Sequence, residues 1–172
     1  MNLQDLITLI NPLHVSNRKL DFEVSGLVLD SRAVKPGSAF IAVRGTEVDA
    51  HMVLEDAISR GANVLICEES YYTEVENVCV LEVENTRNVI GKIAQAFAGN
   101  PAERLRIVGI TGTNGKTTTA TLVYQVLRLL GRKASLLGTV SKRILDEELE
   151  SSLTTADPIE LANDMKKMAD AG

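Results

Sequence analysis

One stretch constrains this chain more than any other. Residues 108–123, VGITGTNGKTTTATLV, set glycines, a lysine and a run of threonines between two apolar segments. The order apolar strand, glycine-rich turn, helix leaves backbone N–H groups without intrahelical acceptors where the helix begins. Those amides and the helix dipole point at one spot, which suits an anionic phosphate. Glycine lets the main chain approach phosphate oxygens closely and adopt positive φ where needed. The pattern G-x-x-x-x-G-K-[ST] would need glycine where Ile110 stands; the glycines here are Gly109, Gly112 and Gly115. Nor is the pattern G-x-G-x-x-G, so a dinucleotide site is not expected. Gly112, Thr113, Asn114, Gly115, Lys116, Thr117 and Thr118 are the candidate phosphate-binding residues. Lys116 would reach the terminal phosphates, and the Thr117 hydroxyl would serve Mg2+. A glycine-rich connection with a solvated lysine is the plainer alternative. It leaves the Gly-Lys-Thr-Thr-Thr order unexplained, because β-branched threonines are not favoured in a first helical turn without a role.

The rest of the chain alternates between helix and strand periods. Leu3, Leu6, Ile7 and Ile10 fall at helical spacing, and Pro12 stops that helix. Residues 22–31 read as a strand, Pro36-Gly37 as a turn, and the apolar residues after it as a second strand. Residues 50–60 read as a helix ended by Gly61, and 62–68 and 78–84 as short strands. Residues 86–98 read as a helix with Val89, Ile90, Ile93 and Phe97 on one face. Gly99-Asn100-Pro101 then breaks the pattern. This predicts an N-terminal domain over 1–98, a linker over 99–104 and a second region over 105–172. There a strand 105–110, the glycine loop, a helix 116–130 and a strand 133–140 form a β-loop-α-β unit. Its strands are expected parallel with a right-handed crossover, and Leu122, Val123, Val126 and Leu130 inward. Residues 141–156 read as a polar loop. Asp157, Pro158 and Glu160 open a helix over 158–171 with Leu161, Met165 and Met168 on one side. The expected fold class is α/β: a small mixed α/β N-terminal domain, then the start of a P-loop parallel-sheet domain. Two parallel strands make a poor core. The second region is therefore expected either to close against the first or to belong to a longer chain.

Composition excludes some classes. A net charge of −5 argues against a general nucleic-acid or anionic-membrane binder. Cys67 and Cys79 are the only cysteines, too few for a disulfide framework or a zinc ligand set, so a reduced, cytoplasmic setting is expected. The N-terminal residues lack a basic stretch ahead of an apolar run, and no apolar run approaches the roughly 20 residues that cross a bilayer. No membrane insertion and a monomeric state are the expectations. Other candidates are plainer. Residues 29–37 read as an approach to a turn, His14 and His51 as surface or cap residues, and Glu68-Glu69 as a solvated strand edge. Thr154-Thr155 reads either as a loop that sets up the Asp157 cap or as a contact to a substrate carbonyl or phosphate.

A family resemblance reweights these readings. GITGTNGKTTT (109–119) resembles the ATP-binding motif of the Mur ligases, which carries this G-T-N-G-K-T order. LDSRAVKPGSAFIAVRGTEVDAHMVLEDAISRGANVLICEE (29–69) is similar to their N-terminal domain, where D-S-R, P-G, F-x-A, G-x-x-x-D and A-x-x-x-G-A recur. LLGTV (136–140) and TTADPIELANDMKKMADAG (154–172) look like the later part of the same pattern. The resemblance spans about residues 24–172. It is strongest to the members that add the third stem-peptide residue. The D-alanyl-D-alanine-adding sibling usually has Ser where Thr113 stands, and folylpolyglutamate synthetase lacks the D-S-R domain.

The resemblance implies ATP and Mg2+ as cofactors, and a UDP-N-acetylmuramoyl-dipeptide and an amino acid as partners. Phosphorylation of a substrate carboxylate gives an acyl phosphate, which an amine attacks to form an amide. Lys116 and Thr117 would act at the phosphoryl group. Leu29 and Ser31 would contact the UDP end, with residues 46–48 helping, and Thr154 and Thr155 the muramoyl or peptide part. The family's Mg2+-binding glutamate, modified lysine and C-terminal domain have no counterpart in these residues. The chain is thus expected to be an N-terminal piece, inactive alone. Two readings of other classes compete. A small P-loop phosphotransferase would need a carboxylate after strand 133–140, where Gly138-Thr139-Val140 stands. A non-catalytic UDP-sugar-binding module would not need Lys116.

Overall fold

The structure is a computed structural model that describes residues 1–45, 49–71, 73, 75–138, 142–145, 147–149 and 157–172. These fall into two compact units, Met1–Phe97 and Ala98–Gly172.

The first unit is built on a five-stranded sheet of β1 (His14–Val15), β2 (Gly26–Val28), β3 (Ser38–Ile41), β4 (Ala62–Cys67) and β5 (Cys79–Glu82), in the order β1-β5-β4-β3-β2. Strands β2 to β5 are parallel, and β1 runs antiparallel on β5. Side chains alternate across a strand, and a parallel sheet is covered on both faces, so its strands read as continuous apolar runs. Ala39, Ile41, Val64, Ile66, Cys79 and Leu81 pack on one face against α1 (Leu3–Ile10) and α3 (Thr86–Phe97). Phe40, Leu65, Cys67 and Val80 pack on the other against Leu54 and Ala57 of α2 (Leu54–Ser59). On α1 the four apolar residues of the helical stripe are buried, and Asn11, at φ 52, ends the helix.

Two local expectations change. The strand expected over 22–31 is confined to β2, because the Asp30 carboxylate accepts the Arg32 amide at 2.9 Å and turns Ser31–Ala33 into a 3-10 turn. The helix expected over 50–60 begins as a 3-10 turn, Ala50–Val53, capped by Asp49, before α2 follows. The motif glycine Gly61 lies at φ +102, and a Cβ there would stand 2.9 Å from Pro36 Cα. Gly37 N donates to Gly61 O at 3.0 Å, so the Pro-Gly turn and the glycine after α2 are two halves of one contact.

The second unit contains α4 (Lys116–Leu129), β6 (Leu136–Leu137), β7 (Lys142–Ile144), β8 (Glu147–Leu149) and α5 (Pro158–Asp170). Here the β-loop-α-β expectation is corrected. Residues 106–110 pair with no strand among the described residues, and Ile107 and Val108 are 57% and 69% exposed. Among the described residues of the strand expected over 133–140 only β6 forms, and it pairs antiparallel with β7, not parallel with 105–110. The expected polar loop 141–156 contains the β7–β8 hairpin. Leu122, Val123, Val126 and Leu130, expected inward, are exposed. An apolar strand or helix face is buried only where a second layer covers it, and among the described residues none covers this one. α5 does carry the expected cap: Asp157 Oδ1 accepts the Ile159 and Glu160 amides at 2.8 and 2.9 Å, with Pro158 at the first helical position. Its buried side includes Ala162, Asp164 and Ala169, while Leu161, Met165 and Met168 are half-buried. The buried Lys142 ammonium pairs with Asp164 and lies 2.8 Å from Glu160 Oε1, which ties β7 to α5. The 3-10 turn Pro101–Arg104 joins this unit through Arg104, 2.9 Å from Asp170 Oδ1.

Candidate functional site

The glycine loop opens α4. Gly115 is its N-cap at φ 77, ψ −2 and has no side chain to accept from the first turn, so the amides of Lys116, Thr117 and Thr118 lack a side-chain partner. Thr119 N is the first to close a helical bond, to Gly115 O at 2.9 Å. Gly112 takes φ 150. A Cβ at Gly115 would meet nothing within 4 Å, so that position needs glycine for its dihedral and not for room. The Lys116 ammonium folds over the loop and donates to Gly112 O at 2.5 Å and to Thr113 O at 3.5 Å. Residues 111–119 are solvent-exposed. Uncapped amides, a positive dipole end and a cation thus share one open surface. This donor set fits a polyphosphate. Toward a magnesium ion it offers the Thr117 hydroxyl; among the described residues no group of three or more His, Cys, Asp or Glu stands together to hold a metal.

The other candidates lie in the first unit. Leu29 and Ser31 follow β2, at the carboxyl edge of the parallel strands, where open α/β sheets bind ligands. Leu29 is half-buried against the core on the α1–α3 side. Ser31 is buried in its 3-10 turn. Around it, the Arg32 guanidinium bonded to Asp30 pulls that carboxyl down to about 2. Asp56 of α2 is lowered by its bonds to the Ser31 hydroxyl and to Arg60. Thr154, Thr155 and residues 46–48 lie outside the described residues.

The sequence reading missed the polar network on this same edge. His51, expected at the surface or as a cap, is half-buried with its side chain turned inward, 6% exposed. Its Nδ1 lies 2.6 Å from Asp49 Oδ1, and its Nε2 accepts from Glu68 N at 2.9 Å. Glu68 is no solvated edge: its Oε1 accepts both the amide and the hydroxyl of Thr86, each at 2.8 Å, and so caps α3. Burial alone would raise the Glu68 carboxyl, but those bonds and the Arg44 side chain bring it below its ordinary value. Arg44 lies among Asp49, Glu68 and Glu69. The available signal was position, since these residues follow the ends of the strands read from 38, 62 and 78.

A parallel sheet covered on both faces in the first unit, and in the second a glycine loop that opens a helix and suits an anionic phosphate, make this an α/β protein. Family comparison narrows the class. The profile described as Mur ligase family, catalytic domain, matches residues 23–98, and the Mur ligase middle domain profile matches residues 110–172. The chain belongs to the Mur ligase family. Among curated relatives it is 45% identical over 150 residues to the UDP-N-acetylmuramoyl-L-alanyl-D-glutamate–2,6-diaminopimelate ligase of Phocaeicola vulgatus, covering 87% of this chain and 31% of that protein. It is 40% identical over 172 residues to the Bacteroides fragilis enzyme of the same name, covering 100% of this chain and 35% of that protein. The chain thus spans about a third of the length of these relatives. A solved structure of a ligase of that name is 26% identical with TM-score 0.67, over 86% of this chain and 30% of that one. MurF from Acinetobacter baumannii, 22% identical with TM-score 0.60 over 95% of this chain and 32% of that one, shares the fold. Among the described residues no helix is long and apolar enough to cross a membrane.

Proposed function

We propose that this chain is part of an ATP-dependent, amide-forming Mur ligase that adds the third stem-peptide residue to UDP-N-acetylmuramoyl-L-alanyl-D-glutamate in peptidoglycan synthesis. On this reading residues 1–98 hold the UDP-sugar, 99–104 link, and 105–172 begin the central ATP-binding domain. Further elements of that domain cover Ile107, Val108 and the apolar side of α4. The enzyme works in the cytoplasm as a monomer. The observation that carries the reading is the uncapped start of α4 under Lys116, in a chain 40% identical along its whole length to a ligase of this name. The relatives' names favour this activity over the D-alanyl-D-alanine-adding sibling.

Bound ATP, with Mg2+, supplies the phosphoryl group that activates a substrate carboxylate for attack by an amine. The chain's own part is electrostatic. The amides of Gly112 to Thr118 and the dipole of α4 bind and orient the phosphate oxygens, and Lys116 offsets charge that grows during transfer. To do so its ammonium must exchange the Gly112 and Thr113 carbonyls for phosphate. The Thr117 hydroxyl offers one oxygen to the metal. Leu29 and Ser31 seat the UDP end, and Thr154 and Thr155 the muramoyl or peptide end.

The test is a calorimetric titration of the chain and its Lys116→Ala variant with MgATP and with UDP-N-acetylmuramoyl-L-alanyl-D-glutamate. The expected result is that the wild type binds both, and that the variant loses ATP by at least roughly tenfold while keeping the UDP-sugar, since a charge-assisted contact contributes ~1.5–3 kcal/mol. UDP-sugar binding with no ATP binding in the wild type would favour the non-catalytic module. Turnover by the 172-residue chain alone would overturn its reading as an incomplete enzyme.

A further inference from the structure

The polar network of the first unit reaches every crossover on the sheet's carboxyl edge. Glu68 N–H can only donate, so the His51 Nε2 facing it at 2.9 Å must accept. A neutral imidazole has one donor and one acceptor, so Nδ1 carries the proton and donates to Asp49 Oδ1. The partners therefore dictate the tautomer. The same Asp49 oxygen caps the Ala50–Val53 turn through His51 N, at 3.0 Å. That turn leads into α2, and α2 packs on the Ser31–Ala33 turn, where Asp56 faces the Ser31 hydroxyl. On its other side Glu68 holds Thr86, the first residue of α3. Arg44, among Asp49, Glu68 and Glu69, has its carbonyl bound by the Arg87 guanidinium at 2.6 Å. His51 thus joins the segment after β3 to the segment after β4, and α2 carries that constraint to the segment after β2.

We infer that His51 is a positioning residue for the uridine end of the substrate: its Nδ1–H tautomer, bridging Asp49 and the Glu68 amide, anchors the α2 segment against which Ser31 is held. This rests on the reading that Ser31 contacts the UDP end. His51 touches no substrate; its effect reaches the ligand only through the seat of Ser31. Affinity for the UDP-sugar should therefore depend on it, and affinity for ATP should not.

Two variants and one spectroscopic measurement test this. His51→Leu keeps an apolar volume and removes both bonds; His51→Gln restores an acceptor toward Glu68 N–H. The expected outcome is a loss of roughly tenfold in affinity for UDP-N-acetylmuramoyl-L-alanyl-D-glutamate in His51→Leu, the scale of one buried hydrogen bond. ATP affinity should stay at its wild-type value, and His51→Gln should recover most of the loss. In the wild type, imidazole 15N shifts should report a protonated Nδ1 and an unprotonated Nε2, a readout that needs no variant to fold. An Nε2–H tautomer or an imidazolium, unchanged UDP-sugar affinity in His51→Leu, an equal loss of ATP and UDP-sugar, or no recovery in His51→Gln would each overturn the inference. Wild-type binding with an indifferent His51→Leu leaves the proposed function standing. A wild type that binds no UDP-sugar removes both.

Discussion

Gly61→Ala should damage the first unit more than the same change at Gly26, Gly37 or Gly91. Gly61 sits at φ +102, a region that L side chains rarely adopt. Holding alanine there costs ~1–3 kcal/mol of backbone strain. The new Cβ would stand 2.9 Å from Pro36 Cα and 3.2 Å from Pro36 N, both backbone atoms of a proline that cannot swing aside. Crowding of that kind costs a further ~1–3 kcal/mol. Alanine also lowers the entropy of the unfolded chain, which returns ~0.4–1 kcal/mol. The net is a loss of roughly 2–4 kcal/mol, a large part of the ~5–15 kcal/mol of a typical domain. In urea, with a slope of ~1–3 kcal/mol/M, the midpoint should fall by roughly 1–2 M. Gly26→Ala is the internal control: a Cβ there meets nothing within 4 Å and φ is not positive, so its midpoint should stay put. If Gly61→Ala unfolds at the wild-type midpoint, or if the two variants fall together, the account of the Pro36–Gly61 contact is wrong.

Other expectations follow from single contacts. Asp164→Ala leaves the buried Lys142 with Glu160 as its remaining carboxylate and should cost ~3 kcal/mol by thermal or urea unfolding, whereas the double replacement Lys142→Met, Asp164→Leu should come close to wild type. Burial alone would lower Lys142, but its bonds to Asp164 and Glu160 raise it above 10.5. The pair's contribution is thus present below that pH and fades as pH climbs past it, which alkaline denaturation would register. Burial pushes the Cys67 and Cys79 thiols up to about 11, so neither should react with a thiol reagent at pH 8 until urea exposes both. Asp30 should titrate near 2 by carboxyl NMR and return toward 3.8 in Arg32→Ala. Because its pKa is lowered on folding, its contribution holds above pH 3.8 and disappears as pH falls toward 2.

The first unit was legible where periodicity met burial. The strands read over 62–68 and 78–84 are there because both faces of a parallel sheet are covered, which leaves long apolar runs in the sequence. The α1 stripe and the Asp157–Pro158–Glu160 helix start are likewise local features, carried by residues within one turn of each other. Legibility failed for residues 106–110 and for the inward face of α4. An apolar pattern says that a segment wants a partner, but it does not say whether the described residues provide one. His51 and Glu68 were misread for the opposite reason. A histidine and a glutamate look like surface groups until folding places an amide, a hydroxyl and a carboxylate around them.

By itself the sequence determined the local chemistry of this protein: the glycines of the loop at 109–115, the lysine and threonines that follow, the capping residues and the apolar repeats. These act over a few residues, and dihedral preference and hydrogen-bonding capacity suffice to read them. Only the tertiary structure decided which distant groups share a site: that Pro36 lies against Gly61, that Lys142 is buried with Asp164, and that His51 bridges Asp49 and the Glu68 amide. The reason is burial. Water satisfies a polar group in the open chain without any choice of partner, while the folded interior removes that water and makes each partner specific.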